Sequence, residues 1–325
     1  MKSAILSLAL CLVVAPLTTA RSSSSNNNAD KVLWRDSGPV AKKDLYWGRG
    51  SADRVPKPPF TFVQENLSGS KPKLDVTDAA GVAWSVKLSL PKPGVNEVHA
   101  EIAATRLVWA FGYFVDENYF VPSGRIEGVH DLKRAAPVVG PDGSFTSARF
   151  ERREKGMESR GEWNIEDNPF KGTPELAGLH ALMLLLASWD NMPYNTAIVR
   201  VTLPGGGEED RYVLTDLGAT FGRMRGGLGK EPNRWVLDEY RENRLVSGVT
   251  MNKLAFRAPL LGKDPLAIPV SHARWFLEIA AQLSDDQIRK AFEASGANAS
   301  EVEGFTAAVR SRIQEIKDKL STKGY

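Results

Sequence analysis

The amino-acid sequence predicts an α+β protein of two lobes, a small antiparallel sheet with one helix followed by a mainly helical lobe. Three observations predict it. Between Phe60 and Ser89 apolar and polar residues alternate in three short runs separated by turn residues, and a helical run follows them. After Thr173-Pro174 begins a helix that is apolar on nearly all sides, the kind that sits inside a core. Beyond it lie a hairpin pattern and a C-terminal third rich in helix start signals.

The chain opens on Lys2, an apolar run from Ala4 to Val14, and Pro16 ahead of Leu17-Thr18-Thr19-Ala20. Residues 1–20 therefore read as a signal peptide, with cleavage expected after Ala20. The run is too short for a stable membrane span, so the expectation is an exported protein, periplasmic or extracellular. Cys11, the one cysteine, lies in this segment, with Leu10 where a lipoprotein signal wants a small residue. Cleavage would leave a chain with neither disulfide nor thiolate chemistry. The 4 histidines show no HExxH or paired spacing, which argues against zinc. A net charge of +3, from 42 basic and 39 acidic side chains, argues against a nucleic-acid partner.

Residues 21–59 are expected as a disordered tether, beginning RSSSSNNN, and an irregular N-terminal wrap carrying Trp34, Tyr46 and Trp47. The first lobe is expected over 60–122. Its strands are Phe60–Glu65, Lys73–Thr77 and Val82–Leu88, joined by a loop at Asn66–Pro72 and a turn at Asp78–Gly81. Asn96 then caps a helix from Glu97 to Phe111, with Ile102, Leu107, Val108 and Phe111 as its stripe and Gly112 as its stop.

The second lobe is expected over 123–320. Short strands are predicted at Tyr119–Pro122 and Gly124–Val129, and residues 140–170 read as an insertion or long loop. The buried helix runs from Pro174 to Ser188. A hairpin follows, Asn195–Leu203 and Arg211–Leu214, and the last third reads as helical with capping boxes at Ser284/Gln287 and Ser300/Glu303.

Five polar residues stand at the ends or turns of these elements: Lys87 on the third strand, Glu101 one turn into the helix, Asp190 and Asn195 around the next loop, and Asp216 after the hairpin. Phosphoryl transfer from a nucleotide needs a cation held by a counter-charge, oxygen ligands for Mg²⁺, and a carboxylate near the acceptor hydroxyl. Lys87 and Glu101 can supply the ion pair, Asn195 and Asp216 the metal ligands, and Asp190 the base. Ser68, Gly69 and Ser70, at the tip of the first loop, can offer backbone N–H groups to phosphates. Glu97 competes with Glu101, but it stands where the helix dipole alone favours an acid.

This order resembles the protein-kinase-like superfamily. DNMPYN at Asp190–Asn195 is similar to its D-x-x-x-x-N loop, DLG at Asp216–Gly218 to its D-x-G, and VKL and HAEIAATRL to its ion-pair elements. The similarity spans roughly residues 60–222 and is closer in style to atypical members, such as the HipA-like, CotH-like and Fam20-like kinases. It implies ATP and Mg²⁺ as cofactors, and a protein, lipid or glycan as acceptor. Transfer of AMP on the same scaffold stays open. Ser188-Trp189 stands in place of His-Arg, and the first loop has one glycine where three are usual.

Two other readings stay open. One is a catalytically inactive pseudokinase-like binding or assembly module of the cell envelope. The other, a surface protein without a pocket, predicts that Lys87 and Asp216 lie far apart. Gly222–Lys230 imitates a nucleotide loop but has Met224 at a glycine position and Glu231 after Lys230. It reads instead as a basic loop in which Arg223, Arg225, Lys230 and Arg234 either meet an acidic acceptor or face solvent.

Overall fold

The computed structural model describes residues 29–89, 96–154, 157–224, 231–261 and 264–321. The expected signal segment and the RSSSSNNN tether, as well as Arg225 and Lys230, lie outside the described residues. No helix among the described residues is long and apolar enough to cross a membrane.

The chain enters through β1 (Asp30–Val32), and the stretch up to Pro59 wraps over the molecule with two short 3-10 turns. Its backbone and side chains find partners in both lobes. Gln287 Nε2 donates to Val40 O and Lys43 O, while the Arg54 guanidinium reaches the Glu117 carboxylate.

Next, β2 (Phe60–Glu65), β3 (Lys73–Thr77) and β4 (Ala83–Leu88) form the expected meander. The turn into β4 works because Asp78 Oδ1 accepts from the Ala80 and Val82 N–H groups. Gly81 there takes φ 73°, a conformation that costs glycine little. Asn96 caps α1 (Glu97–Ala110) by accepting from the His99 N–H at 3.2 Å. The expected stripe is buried, and so is nearly every other face of α1, because Ala100, Ala103 and Ala104 let neighbours approach closely.

After β5 (Phe114–Val115), β6 (Asn118–Glu127) replaces the two short strands expected around Pro122 with one long one. The insertion expected at 140–170 is corrected: Ser144–Arg152 is a strand, β7, paired with β4 on one side and β6 on the other. Phe145, Ala148 and Phe150 enter the core, while Arg149, Glu151 and Arg152 on the same strand disguised its period. With β7 in place the sheet closes as a barrel in the order β2-β3-β4-β7-β6, so the first lobe runs past Pro122 to Arg152. Phe60, Leu74, Trp84, Val86 and Phe150 fill it.

The second lobe starts with β8 (Glu158–Gly161) and α2 (Pro174–Leu185). Thr173 Oγ1 accepts from the Leu176 N–H, and proline fills the first helical position. Leu179, Leu182 and Leu184 have no exposed surface, each contributing roughly 1.5–3 kcal/mol by leaving water. The helix ends at Leu185 rather than Ser188, since Ala187 turns to φ 53°.

β9 (Thr196–Thr202) and β10 (Glu208–Leu214) make the expected hairpin, and β1 and β5 lie parallel to β10. Then follow α3 (Leu237–Glu242) and a three-stranded sheet of β11 (Val246–Thr250), β12 (Lys253–Phe256) and β13 (Ala267–Pro269). That sheet corrects the wholly helical reading of the last third. The chain closes with α4 (Val270–Ala280), α5 (Asp285–Glu293) and α6 (Ala299–Ser321). The Ser284/Gln287 capping box forms. At α6 the reciprocal pair is Asn298 and Glu301, not Ser300 and Glu303, with both N–H···O distances 3.0 Å.

Candidate functional site

Lys87 lies on β4, between β3 and β7, and its direct cross-strand neighbours are Lys73 and Arg149. Side chains directly opposite each other share a face, so three cations stand in a row. Such a row repels itself unless anions face it. They come from Glu97 and Glu101, one turn apart on α1, and from Glu151 on β7.

Glu101 has no exposed surface and bridges the row, with Oε2 2.8 Å from Lys87 Nζ and Oε1 2.9 Å from the Arg149 guanidinium. Arg149 also pairs with Glu151. Asp216 Oδ2 lies 2.8 Å from Lys87 Nζ, and its Oδ1 accepts from the Gly218 N–H within the Asp-x-Gly turn. The reading in which Lys87 and Asp216 lie far apart is excluded by that distance. Glu97 also reaches Lys87, at 3.4 Å, so α1 presents both candidate glutamates and Glu101 makes the shorter contact.

Burial works against every charge here. For Lys87 the carboxylates of Glu101 and Asp216 outweigh it and hold the ammonium protonated well above its ordinary range. Asp216 is pushed up by burial but held well below the usual carboxylate range by Lys87. Glu101, fully enclosed, is pushed up to about 7 in spite of Arg149 and Lys87.

The Asp190–Asn195 loop is bonded to the chain on both sides of Asp216. The Thr215 N–H donates to Asn195 O, and the Trp189 N–H donates to Ala219 O. Asn195 Nδ2 donates to Asp190 O at 2.7 Å, and the Tyr194 hydroxyl donates to Asp190 Oδ1 at 2.8 Å. Asn191 is buried elsewhere, its Nδ2 donating to Ser188 O and Leu260 O.

The Ser68-Gly69-Ser70 tip is exposed between β2 and β3. Arg134 donates to Leu67 O and Gly69 O, fixing its outer side. Lys71, at the base of the tip, reaches over to Glu97 Oε2 at 2.6 Å.

Sequence reasoning missed Arg149, Glu151 and Lys71. For the first two the signal was the alternation of Ala148 and Phe150 after Phe145, interrupted at Ser147, which takes φ 53°, and hidden by a polar count. The solvated reading of Arg223 and Arg234 is corrected as well. Arg223 pairs with Glu239, while Arg234 pairs with Glu97 and lies 4.9 Å over the Trp189 ring. A cavity of about 300 Å³ is lined by Trp34, Val40, Phe111 and Trp275. It lies at the far end of α1, about 20 Å from Glu97 by helical rise, and is separate from this cluster.

No protein-family model matches the sequence, and no curated protein matches it. Solved structures do. The crystal structure of the Helicobacter pylori proinflammatory kinase CtkA superposes with a TM-score of 0.51 and 12% identity, over 83% of this chain and 100% of that one. The chain has a protein-kinase-like fold. A MAP kinase from Leishmania major also matches, over 81% of this chain and 82% of that one, but at a TM-score of 0.23 and 11% identity it carries no argument. Within the kinase-like fold, the barrel is the smaller lobe, and the cluster lies where α1, β4 and the Asp-Leu-Gly turn meet.

Proposed function

We propose that this chain is an exported, ATP- and Mg²⁺-dependent phosphotransferase acting on a protein, lipid or glycan. The observation that carries the reading is Lys87, enclosed and held charged between Glu101 and Asp216, each 2.8 Å away. The donor set fits a Mg-nucleotide. Among the described residues no three His, Cys, Asp or Glu side chains gather as a cage, and Mg²⁺ habitually takes one or two protein oxygens plus phosphates and water. Asp216 and the Asn195 side-chain oxygen would supply those ligands, since the Asn195 amide nitrogen is already engaged with Asp190 O.

Bound Mg²⁺ would neutralise charge on the transferred phosphoryl group. Lys87, positioned by Glu101, would hold the α/β-phosphates, and the Gly69 and Ser70 N–H groups of the Ser68-Gly69-Ser70 tip would face them, that of Ser68 being donated to Asn66 Oδ1. Asp190 would orient or deprotonate the acceptor hydroxyl. Transfer of AMP would use the same residues.

The test is thermal stabilisation by Mg-ATP of wild type and Asp216→Ala. Wild type should gain about 2.7 kcal/mol at a hundredfold excess over Kd, and the variant far less. No shift in either protein ends the nucleotide reading. Transfer itself is read with labelled ATP and envelope fractions, with Asp190→Ala as the control.

The pseudokinase-like binding module is favoured by one contact, the Tyr194 hydroxyl on the Asp190 carboxylate. It predicts stabilisation by Mg-ATP without label transfer.

A further inference from the structure

Glu97 is shared among three cations, as Lys87 is among three carboxylates. Its carboxylate, on a side chain only 10% exposed, contacts Lys71 Nζ at 2.6 Å, Lys87 Nζ at 3.4 Å and the Arg234 guanidinium. Those cations come from three separate elements: the β2–β3 loop, strand β4 and the segment after Asp-Leu-Gly. The carboxyl is pushed up by burial and held low by Lys87 and Arg234. The carboxylate carries one negative charge and gathers three positive ones.

The surroundings fix it there. A methyl group on Gly218 would come within 2.5 Å of Glu97 Cγ, so the side chain lies directly on the Asp-Leu-Gly turn. Arg234 is held on its far side by the Trp189 ring, and Trp189 Nε1 donates to Asn233 O at 2.9 Å. The segment bearing Arg234 is tied back to its own start, since the Trp235 and Val236 N–H groups donate to Thr220 O and Phe221 O. One carboxylate thus joins the loop above the site, the helix beside it and the segment below it.

A ring of ammonium and guanidinium groups gathered around one anion is what a phosphate chain looks for in a protein. We propose that Lys71 and Arg234 are phosphate-binding cations, and that Glu97 occupies the phosphate position and holds the site shut until a nucleotide displaces it. The proposal rests on the nucleotide reading above and adds two cations and a latch to it. Electrostatics give it a sign. Any phosphate entering must first break the Glu97 pairs, so Glu97 opposes binding even though it neighbours the binding cations. Glu101 differs, because it sits behind Lys87 and Arg149 and contacts neither Lys71 nor Arg234.

The test compares the affinities of wild type, Glu97→Gln, Lys71→Gln and Arg234→Gln for Mg-ADP and for tripolyphosphate, by calorimetric titration, with thermal unfolding as a fold check. Glu97→Gln should bind both probes about tenfold tighter, the order expected when a partly buried ion pair need no longer be broken. Lys71→Gln and Arg234→Gln should each bind about tenfold more weakly and with a shallower salt dependence. In the double variant Glu97→Gln/Arg234→Gln the gain should vanish. If the wild type binds and Glu97→Gln and Arg234→Gln shift affinity in the same direction, or not at all, Glu97 is a brace and the latch is wrong. If the wild type binds neither probe, the nucleotide reading and the latch fall together.

Discussion

Replacing Arg149 by methionine tests the buried charge network most directly. The guanidinium is almost fully enclosed, 2.9 Å from Glu101 and paired with Glu151. Its removal leaves Glu101 with Lys87 alone, and Glu151 with Arg153, whose side chain is 53% exposed. Taking one partner out of a buried pair costs about 3–5 kcal/mol. Relief of the cross-strand repulsion between Arg149 and Lys87 returns up to about 1 kcal/mol, so the net loss should be about 2–4 kcal/mol. Urea unfolding followed by circular dichroism reads this as a lower midpoint at constant m. Glu101→Gln should also destabilise, and the double variant should lose about 1–3 kcal/mol less than the sum, because the two groups share one interaction. If Arg149→Met stays within about 1 kcal/mol of wild type and the pair is additive, the network is not a unit and the reasoning fails.

Gly218→Ala places a methyl group 2.5 Å from Glu97 Cγ and should cost about 1–3 kcal/mol, read as a lower melting temperature by calorimetry; an unchanged melting temperature would show that Glu97 does not rest on the turn. His99, against Phe120 and Trp235, is pushed down to about 4 by burial, so between pH 6.5 and 4 the unfolded chain binds the extra proton. Its contribution is present above pH 6.5 and is lost on acidification, on the order of 3 kcal/mol, and His99→Phe should flatten that part of the profile. Identical pH slopes for wild type and variant, measured by denaturant titration, would contradict this. Gln287→Ala removes both bonds to the Val40 and Lys43 carbonyls and should cost about 1–3 kcal/mol while speeding limited proteolysis within residues 29–59. Equal cleavage rates would mean the wrap is held elsewhere.

How far the site could be read from sequence follows from the range of each interaction. Asp190, Asn195 and Asp216 were legible because short turns fix them relative to a helix and a hairpin that announce themselves locally. Lys87 followed from the alternation of its strand. The choice between Glu97 and Glu101 could not be made locally, since residues one turn apart share a helix face and Lys87 reaches both. Strand β7 was lost because Arg149 and Glu151 on its outer face, with Arg152 at its end, imitate a solvated loop until α1 covers them. Arg149 and Glu101 are side by side only because α1 packs over the barrel, and no local pattern records that. The Asn298 cap was missed because Ser300 two residues on offered the same signal.

The wrap carries a consequence for how the molecule comes into being. Val40 and Gln287, which it brings together, are 247 residues apart along the chain. The Val40–Lys43 stretch therefore completes its contacts only once α5 exists, whereas β1 pairs with β10, made earlier. Long-range closure of this kind is slow, since the chain must give up the freedom of the whole intervening loop before any contact rewards it. The barrel strands are near neighbours and can pair early, whereas the contact of the wrap with α5 closes a loop of 247 residues. The Lys43 ammonium and the Trp34 indole N–H, which donate to the Ala110 and Phe111 carbonyls at the end of α1, arrive with it. A chain cut short before α5 would keep every strand of its barrel and β1 on β10, yet lose the seat that Gln287 gives the Val40–Lys43 stretch beside the end of α1.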